Sequence, residues 1–292
     1  MQEFGLKSYK AYNFSNFYIS NNFITIFFVT FFFFRTFAVE MKRTAEQIAL
    51  DKERGRLMRR FHSACADYGL LEDGDHVLIG LSGGKDSLLL TELLGRQARI
   101  YKPSIRVSAV YVSVSNIGYE TDIAYLQAFC DQVGVPFAHK VTHYDELPSK
   151  HRNKNHCFLC SWYRRKTLFD TAQELGCNKI ALGHHRDDIL ETLLMNMVFG
   201  GNISTMPPML QLDKMPLRII RPLCLCDESD IRRYAEMASY QKQVKSCPFE
   251  KESSRARTKN ILGVLAELNP EVKDNMWAAM ENIKPTYLPK KI

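Results

Sequence analysis

Three groups of residues in this chain have the types and spacing to do chemistry. The first is Ser82-Gly83-Gly84-Lys85-Asp86-Ser87, which follows the apolar run His76-Val77-Leu78-Ile79-Gly80-Leu81 and precedes helical apolar spacing from Leu88 to Leu94. Glycines at a strand-to-helix turn let backbone N–H groups approach an anion, and the positive end of the following helix favours it. Lys85 adds charge, Ser82 and Ser87 add donors, and Asp86 offers oxygens to Mg²⁺. This is the chemistry of a pyrophosphate cradle, without the spacing of a Walker A loop or of a Gly-x-Gly-x-x-Gly turn. A polar turn that merely opens a helix is the simpler account, and the full hexapeptide at a strand end argues against it. The second group is Gly183-His184-His185-Arg186-Asp187-Asp188, whose paired carboxylates also suit the capped start of a helix. The third is Cys157-Phe158-Leu159-Cys160, with Cys247 far downstream and Cys224 and Cys226 also available. A Cys-x-x-Cys pair serves one metal centre or one disulfide. Zinc completed by His156 or Cys226, a redox disulfide, and a three-cysteine [4Fe–4S] centre with one open iron all stay open on these residues.

Positioning these groups requires a particular order of elements. Apolar β-rich runs at 76–81, 106–112, 136–141 and 179–182 alternate with helical spacing at 88–94, 121–133, 162–172 and 189–197. The alternation predicts an α/β fold: a doubly wound, mainly parallel sheet with right-handed crossovers and helices on both faces. Ligands of such sheets bind beyond the carboxyl ends of the strands, so the first two groups are expected on one edge. Upstream, Thr44 to Tyr68 reads as a helix with Ile48, Leu50, Leu57, Met58 and Phe61 on its apolar side. Arg54, Arg56, Arg59 and Arg60 form its basic face, either solvated or in contact with a phosphate backbone. The expected organisation is an extension at 1–40, a basic helical segment at 41–75, the catalytic α/β domain at 76–240 and a C-terminal segment at 241–292.

The chain of 292 residues carries a formal charge of +7, compatible with a nucleic-acid partner without requiring one. Its eight cysteines lack the dense spacing of a secreted disulfide scaffold. Cys65, Cys130 and Cys177 read as small core residues, and a nucleotide cradle with free thiols points to the reducing cytoplasm. Of 18 phenylalanines, 11 precede Glu40. The run from Phe23 to Phe34 is shorter than the roughly 20 apolar residues that span a bilayer. With Met41 opening a typical soluble start, residues 1–40 are expected to be an unstructured start-site extension, the rival being a membrane-attaching segment; no stable membrane partner is expected.

Taken in one order, the hexapeptide, the Cys-x-x-Cys ahead of an Arg-rich helix, Gly183 to Asp188, Arg221-Pro222-Leu223 and the late Cys247 resemble the tRNA 2-thiocytidine biosynthesis (TtcA) family of PP-loop ATP pyrophosphatases. The resemblance runs from about Ala45 to Asn269. It implies an ATP-dependent transferase that adenylates cytidine 32 of tRNA and exchanges its C2 oxygen for sulfur. It implies that Ser82, Gly83, Gly84, Lys85, Asp86 and Ser87 bind ATP together with Gly183, His184 and Asp187, and that Lys85 and Asp86 act in catalysis, with Asp86 on Mg²⁺. Cys157, Cys160 and Cys247 would then hold a [4Fe–4S] cluster, leaving Cys224 and Cys226 without a role. Arg152, Lys154, Arg164, Arg165 and Lys166, with Arg255, Arg257 and Lys259 beside Cys247, would meet tRNA, and Trp162 and Tyr163 a stacked base. A sulfur donor such as a cysteine desulfurase and a homodimer complete the expectation. Rivals are a uridine thiolase, which usually carries paired terminal zinc modules absent here; a lysidine synthetase, which needs no cysteine triad; and a non-catalytic zinc-containing RNA-binding module, disfavoured by Lys85 and Asp86.

Overall fold

A computed structural model describes residues 44–115, 121–143, 156–242 and 254–289, with backbone alone for residues 156–157 and 254–256. Residues 1–40, Arg152, Lys154 and Cys247, together with the side chains of Cys157 and Arg255, lie outside the described residues. In chain order the elements are α1 (Ala45–Asp67), β1 (His76–Gly80), α2 (Lys85–Gln97), β2 (Arg106–Val114), α3 (Ile123–Val133), β3 (Phe137–Thr142), α4 (His156–Glu174) and β4 (Lys179–Ala181). They are followed by α5 (Arg186–Gly200), β5 (Met209–Gln211), β6 (Arg218–Ile220), α6 (Glu228–Met237), α7 (Ser254–Leu268) and α8 (Val272–Glu281).

The strands form one six-stranded sheet in the order β3-β2-β1-β4-β6-β5. Every neighbouring pair is parallel except the β5–β6 hairpin at one edge. The sequence reading anticipated the four strands β1 to β4. It missed β5 and β6, which are three residues each and too short to show a period. Strand order reverses between β1 and β4, the switch point at which open α/β sheets leave a crevice. Pairing of Val77 with Lys179 and Ile79 with Ala181 puts the chain leaving β1 beside the chain leaving β4.

Alternation along the strands sorts their side chains between two cores. Val77 and Ile79 of β1, with Val107, Ala109 and Tyr111 of β2, join the larger cluster, built with Leu57 and Phe61 of α1, the leucines of α2, Leu126 of α3 and Tyr234 of α6. Leu78, Val110 and Val112 point to the smaller cluster, which Leu168 and Ala172 of α4 cover. Leu88, Leu89, Leu90, Leu93 and Leu94 are completely buried. At roughly 1.5–3 kcal/mol each, they fix the helix that follows the hexapeptide.

Candidate functional site

The hexapeptide forms the turn from β1 into α2, and its conformation follows from its residues. Gly83 takes φ +80°, a left-handed angle that disfavours side chains, and Gly84 is the N-cap of α2 with no side chain over the helix end. Ser87, nearly buried, braces the loop from inside: its Oγ accepts the Ser82 N–H at 3.1 Å and donates to the Gly84 carbonyl at 2.9 Å. Ser82 Oγ lies 3.1 Å from Ser87 Oγ. The first turn of α2 is left open to an anion, with Lys85 Nζ at its mouth, 3.0 Å from Asp86 Oδ1 and 3.4 Å from Glu228 Oε1. Asp86 Oδ1 is buried and accepts no hydrogen bond among the described residues, because its contact with Lys85 is one of charge without donor geometry. A buried carboxylate oxygen with free lone pairs beside a phosphate-binding turn is a fitting donor for Mg²⁺.

The second group meets the first through main chain. A Cβ placed on Gly183 would lie 3.0 Å from both Asp86 C and Ser87 N, so glycine lets the chain leaving β4 rest on the first turn of α2 where any side chain would be tightly crowded against main chain. Beyond it His185 caps α5, with its side chain accepting the Asp188 N–H at 3.3 Å and its own N–H donating to Asp188 Oδ2 at 3.0 Å. The capping role of a carboxylate here is therefore real for Asp188. His185 Nε2 also comes within 3.8 Å of Asp86 Oδ1, so it is His185 that faces the cradle, while His184 Nδ1 meets Arg221 Nε at 3.3 Å. Asp187 is buried, accepting the Glu228 N–H at 2.8 Å and pairing with Lys273 of α8. Glu228, Lys259 and Lys273 were not anticipated around the nucleotide edge. Glu228 looks in sequence like an ordinary acidic residue at a helix start, and only the fold carries it to Lys85.

On the opposite face, a cavity of about 140 Å³ lies between the ends of β1 and β2 and the helix α4, lined by Ser82, Leu81, Val112, Arg164 and Leu182 among others. It joins the cradle to α4 at Arg164, Arg165 and Leu168. Arg164 Nε donates to the Val112 carbonyl at 3.1 Å, Arg165 Nε to the Ser161 carbonyl at 3.2 Å, and Lys166 pairs loosely with Asp170 at 3.6 Å. Arg165 and Lys166 stay exposed. Trp162 and Tyr163 stack edge to face, with centroids 4.9 Å apart. Cys160, one turn into α4 and three positions after Cys157, is 8 % exposed.

Two sequence alternatives are corrected by packing. Cys226, considered as a zinc ligand, is completely buried in the larger apolar cluster with Cys224, and burial pushes both thiols up to about 12. Cys226 therefore packs in this structure as an apolar core residue, in a different cluster from the one α4 covers. The basic face of α1 is largely spent inside the protein: Arg60 reaches Asp227 at 2.7 Å, Arg56 pairs with Asp230, and Arg54 with Asp51. Cys130 and Cys177 are buried and Cys65 partly so, as small core residues should be.

The model of the PP-loop domain matches residues 54–259, a span containing both loop motifs and α4. The tRNA-cytidine(32) 2-sulfurtransferase of Chromohalobacter salexigens is 36% identical over 246 residues, covering 83% of this chain and 86% of that protein. The chain belongs to the TtcA family. A second member, from Shewanella sp. (strain W3-18-1), is 38% identical over 243 residues, covering 81% of this chain and 77% of its own. Among solved structures, the U34-tRNA thiolase NcsA from Methanococcus maripaludis with its [4Fe-4S] cluster aligns with a TM-score of 0.65 and 26% identity, over 80% of this chain and 81% of that one. This TtcA-family protein is thus a transferase on a PP-loop, ATP-binding fold. Among the described residues no helix is long and apolar enough to cross a membrane.

Proposed function

We propose that this protein is an ATP-dependent tRNA thiolase that adenylates cytidine 32 at O2 and replaces that oxygen with sulfur. The observation that carries the reading is the contact of Gly183 with the Asp86–Ser87 backbone, which makes the pyrophosphate turn and the second motif one continuous surface. An amide-like oxygen is a poor leaving group, and its attack on the α phosphorus of ATP turns it into part of a departing phosphate. Pyrophosphate leaves towards the amides of Gly83 and Gly84 and the ammonium of Lys85, which meet the charge as it develops. Asp86 would hold Mg²⁺ through its buried Oδ1, and Gly183, His184 and Asp187 would border the AMP side. Sulfur then takes the place of the oxygen at C2 and AMP departs.

Cys157, Cys160 and Cys247 would hold the [4Fe–4S] cluster, and Cys160 fits this role as a sheltered thiol on α4, the helix whose Arg164 and Leu168 line the cavity that reaches Ser82. When bound, the cluster would supply the iron–sulfur chemistry that delivers sulfur to C2. The tRNA backbone meets Arg152, Lys154, Arg164, Arg165 and Lys166, of which Arg165 and Lys166 are exposed on α4. We further propose a cysteine desulfurase as sulfur source, a homodimer, and a cytoplasmic setting that supplies tRNA, ATP and reduced thiols. Relatives named for cytidine 32 favour that base, while the U34 thiolase neighbour favours a second reading in which the base is uridine.

The test is reconstitution under anaerobic conditions with tRNA, ATP, Mg²⁺ and sulfide, followed by mass spectrometry of the nucleosides. The expected product is 2-thiocytidine, formed by the wild type and reduced about 100-fold or more in Lys85→Ala. Appearance of 2-thiouridine selects the second reading, and an undiminished Lys85→Ala overturns the assignment of the cradle.

A further inference from the structure

Three cations from three separate elements converge on one carboxylate beside the loop. Glu228, the first residue of α6, has Lys85 Nζ 3.4 Å and Arg232 Nη2 3.0 Å from Oε1, while Lys259 Nζ of α7 lies 2.5 Å from Oε2. Burial works against ionisation of Glu228, but Lys259, Lys85 and Arg232 outweigh it and hold its pKa at about 2. The carboxylate therefore stays charged at neutral pH and keeps the cations together. Asp86 is the other anion on Lys85, so three positive charges face two negative ones, and the cluster retains an excess of one.

The side chains of Arg232 and Lys259 are 55% and 49% exposed, which leaves both head groups free to take a second anion. Next to them is a cavity of about 580 Å³ whose lining includes Gly83, Gly84, Lys85, Arg232 and Lys242. Its floor is the backbone that receives phosphate in the proposed function, and its wall sets Lys85, Arg232 and Lys242 against the single carboxylate Glu236, with Ala235 and Tyr240 between them.

We propose that Arg232 and Lys259 are further pyrophosphate-binding residues, gathered with Lys85 around Glu228, Arg232 as part of the cavity lining and Lys259 reaching the same carboxylate from α7. The inference rests on Ser82 to Ser87 being an ATP cradle. As the bond from cytidine O2 to the α phosphorus forms and the bond from that phosphorus to the bridging oxygen breaks, the electron pair stays on the departing pyrophosphate. One lysine meets only part of that charge. Arg232 adds a planar fork suited to two phosphate oxygens and Lys259 a second ammonium, both supplied from outside the loop motif.

The test is calorimetric titration of the full chain with magnesium pyrophosphate and, separately, with AMP. Arg232→Ala and Lys259→Ala are each expected to raise the pyrophosphate Kd about tenfold, with the AMP Kd within about twofold of wild type. Arg232→Lys, which keeps the charge and loses the fork, is expected to restore only part of the loss. Unchanged pyrophosphate binding in both alanine variants overturns the inference, as does an equal loss of AMP binding, which marks general damage. Lys85→Ala separates the two levels. If it binds pyrophosphate normally, the cradle itself is misassigned; if it alone loses binding, only the roles of Arg232 and Lys259 fall.

Discussion

On one face of the sheet, Cys224 and Cys226 sit completely buried beside Leu223 and Ile231, with Cys65 packed against them. Burial pushes all three thiols up to about 12, so they are protonated packing groups. On the other face, Cys160 stands one turn into α4, the helix whose Leu168 and Ala172 cover the smaller cluster. Among the described cysteines, Cys224 and Cys226 lie in the larger apolar cluster and Cys177 in the smaller one, whereas Cys160 belongs to neither. The nucleotide chemistry is anchored by α2, α5, α6, α7 and α8 together, whereas the proposed sulfur chemistry depends on α4.

The largest expected effect breaks this comparison if it fails. Cys160→Ala should lose essentially all of about four bound irons per chain and lower thiolation about 100-fold or more, whereas Cys226→Ala should retain the iron and lose only about 1 kcal/mol of stability. Iron and sulfide analysis with urea unfolding reads both, and iron loss from Cys226→Ala reverses the roles of the two faces. Next in size is Gly183→Ala. Its added carbon meets main chain, so a loss of about 1–3 kcal/mol is expected by urea unfolding, together with weaker ATP binding. A neutral result means that the nucleotide side is less rigid than its contacts imply.

The smallest effect concerns acid. Glu228 has its folded pKa lowered from 4.5 to about 2, because the opposing effect of burial is outweighed by Lys259, Lys85 and Arg232. The unfolded chain takes up the proton first, so this stabilisation is complete above pH 4.5 and disappears as pH falls through about 2. Glu228→Gln should flatten that part of the stability profile between pH 5 and pH 2, measured by urea unfolding. A profile as steep as wild type assigns the acid sensitivity to other carboxylates.

Much of this arrangement was legible in the chain. The alternation of apolar runs gave β1 to β4 and their helices, and Ser82 to Ser87 stood out because glycines, a lysine and hydroxyls follow a strand. The expected helix at 121–133 begins two residues later, at Ile123, because Asp122 accepts the Tyr125 N–H as N-cap. What stayed hidden depends on distance across the fold. Nothing local marks Lys259 or Lys273 as neighbours of Glu228 and Asp187, and neither the caps nor the periods reveal that His185 turns toward Asp86 where His184 does not. β5 and β6 were invisible because three residues do not show alternation.

The crowding at Gly183 has a consequence for how this family can change. The three atoms nearest an added Cβ are the carbonyl carbon and oxygen of Asp86 and the nitrogen of Ser87, main-chain atoms that every amino acid shares. A replacement at position 183 therefore has no second-site suppressor at 86 or 87, since trading one side chain for another there leaves the obstacle untouched. A genetic screen starting from Gly183→Ala should return true revertants, or substitutions that move a whole element, and no compensating pair.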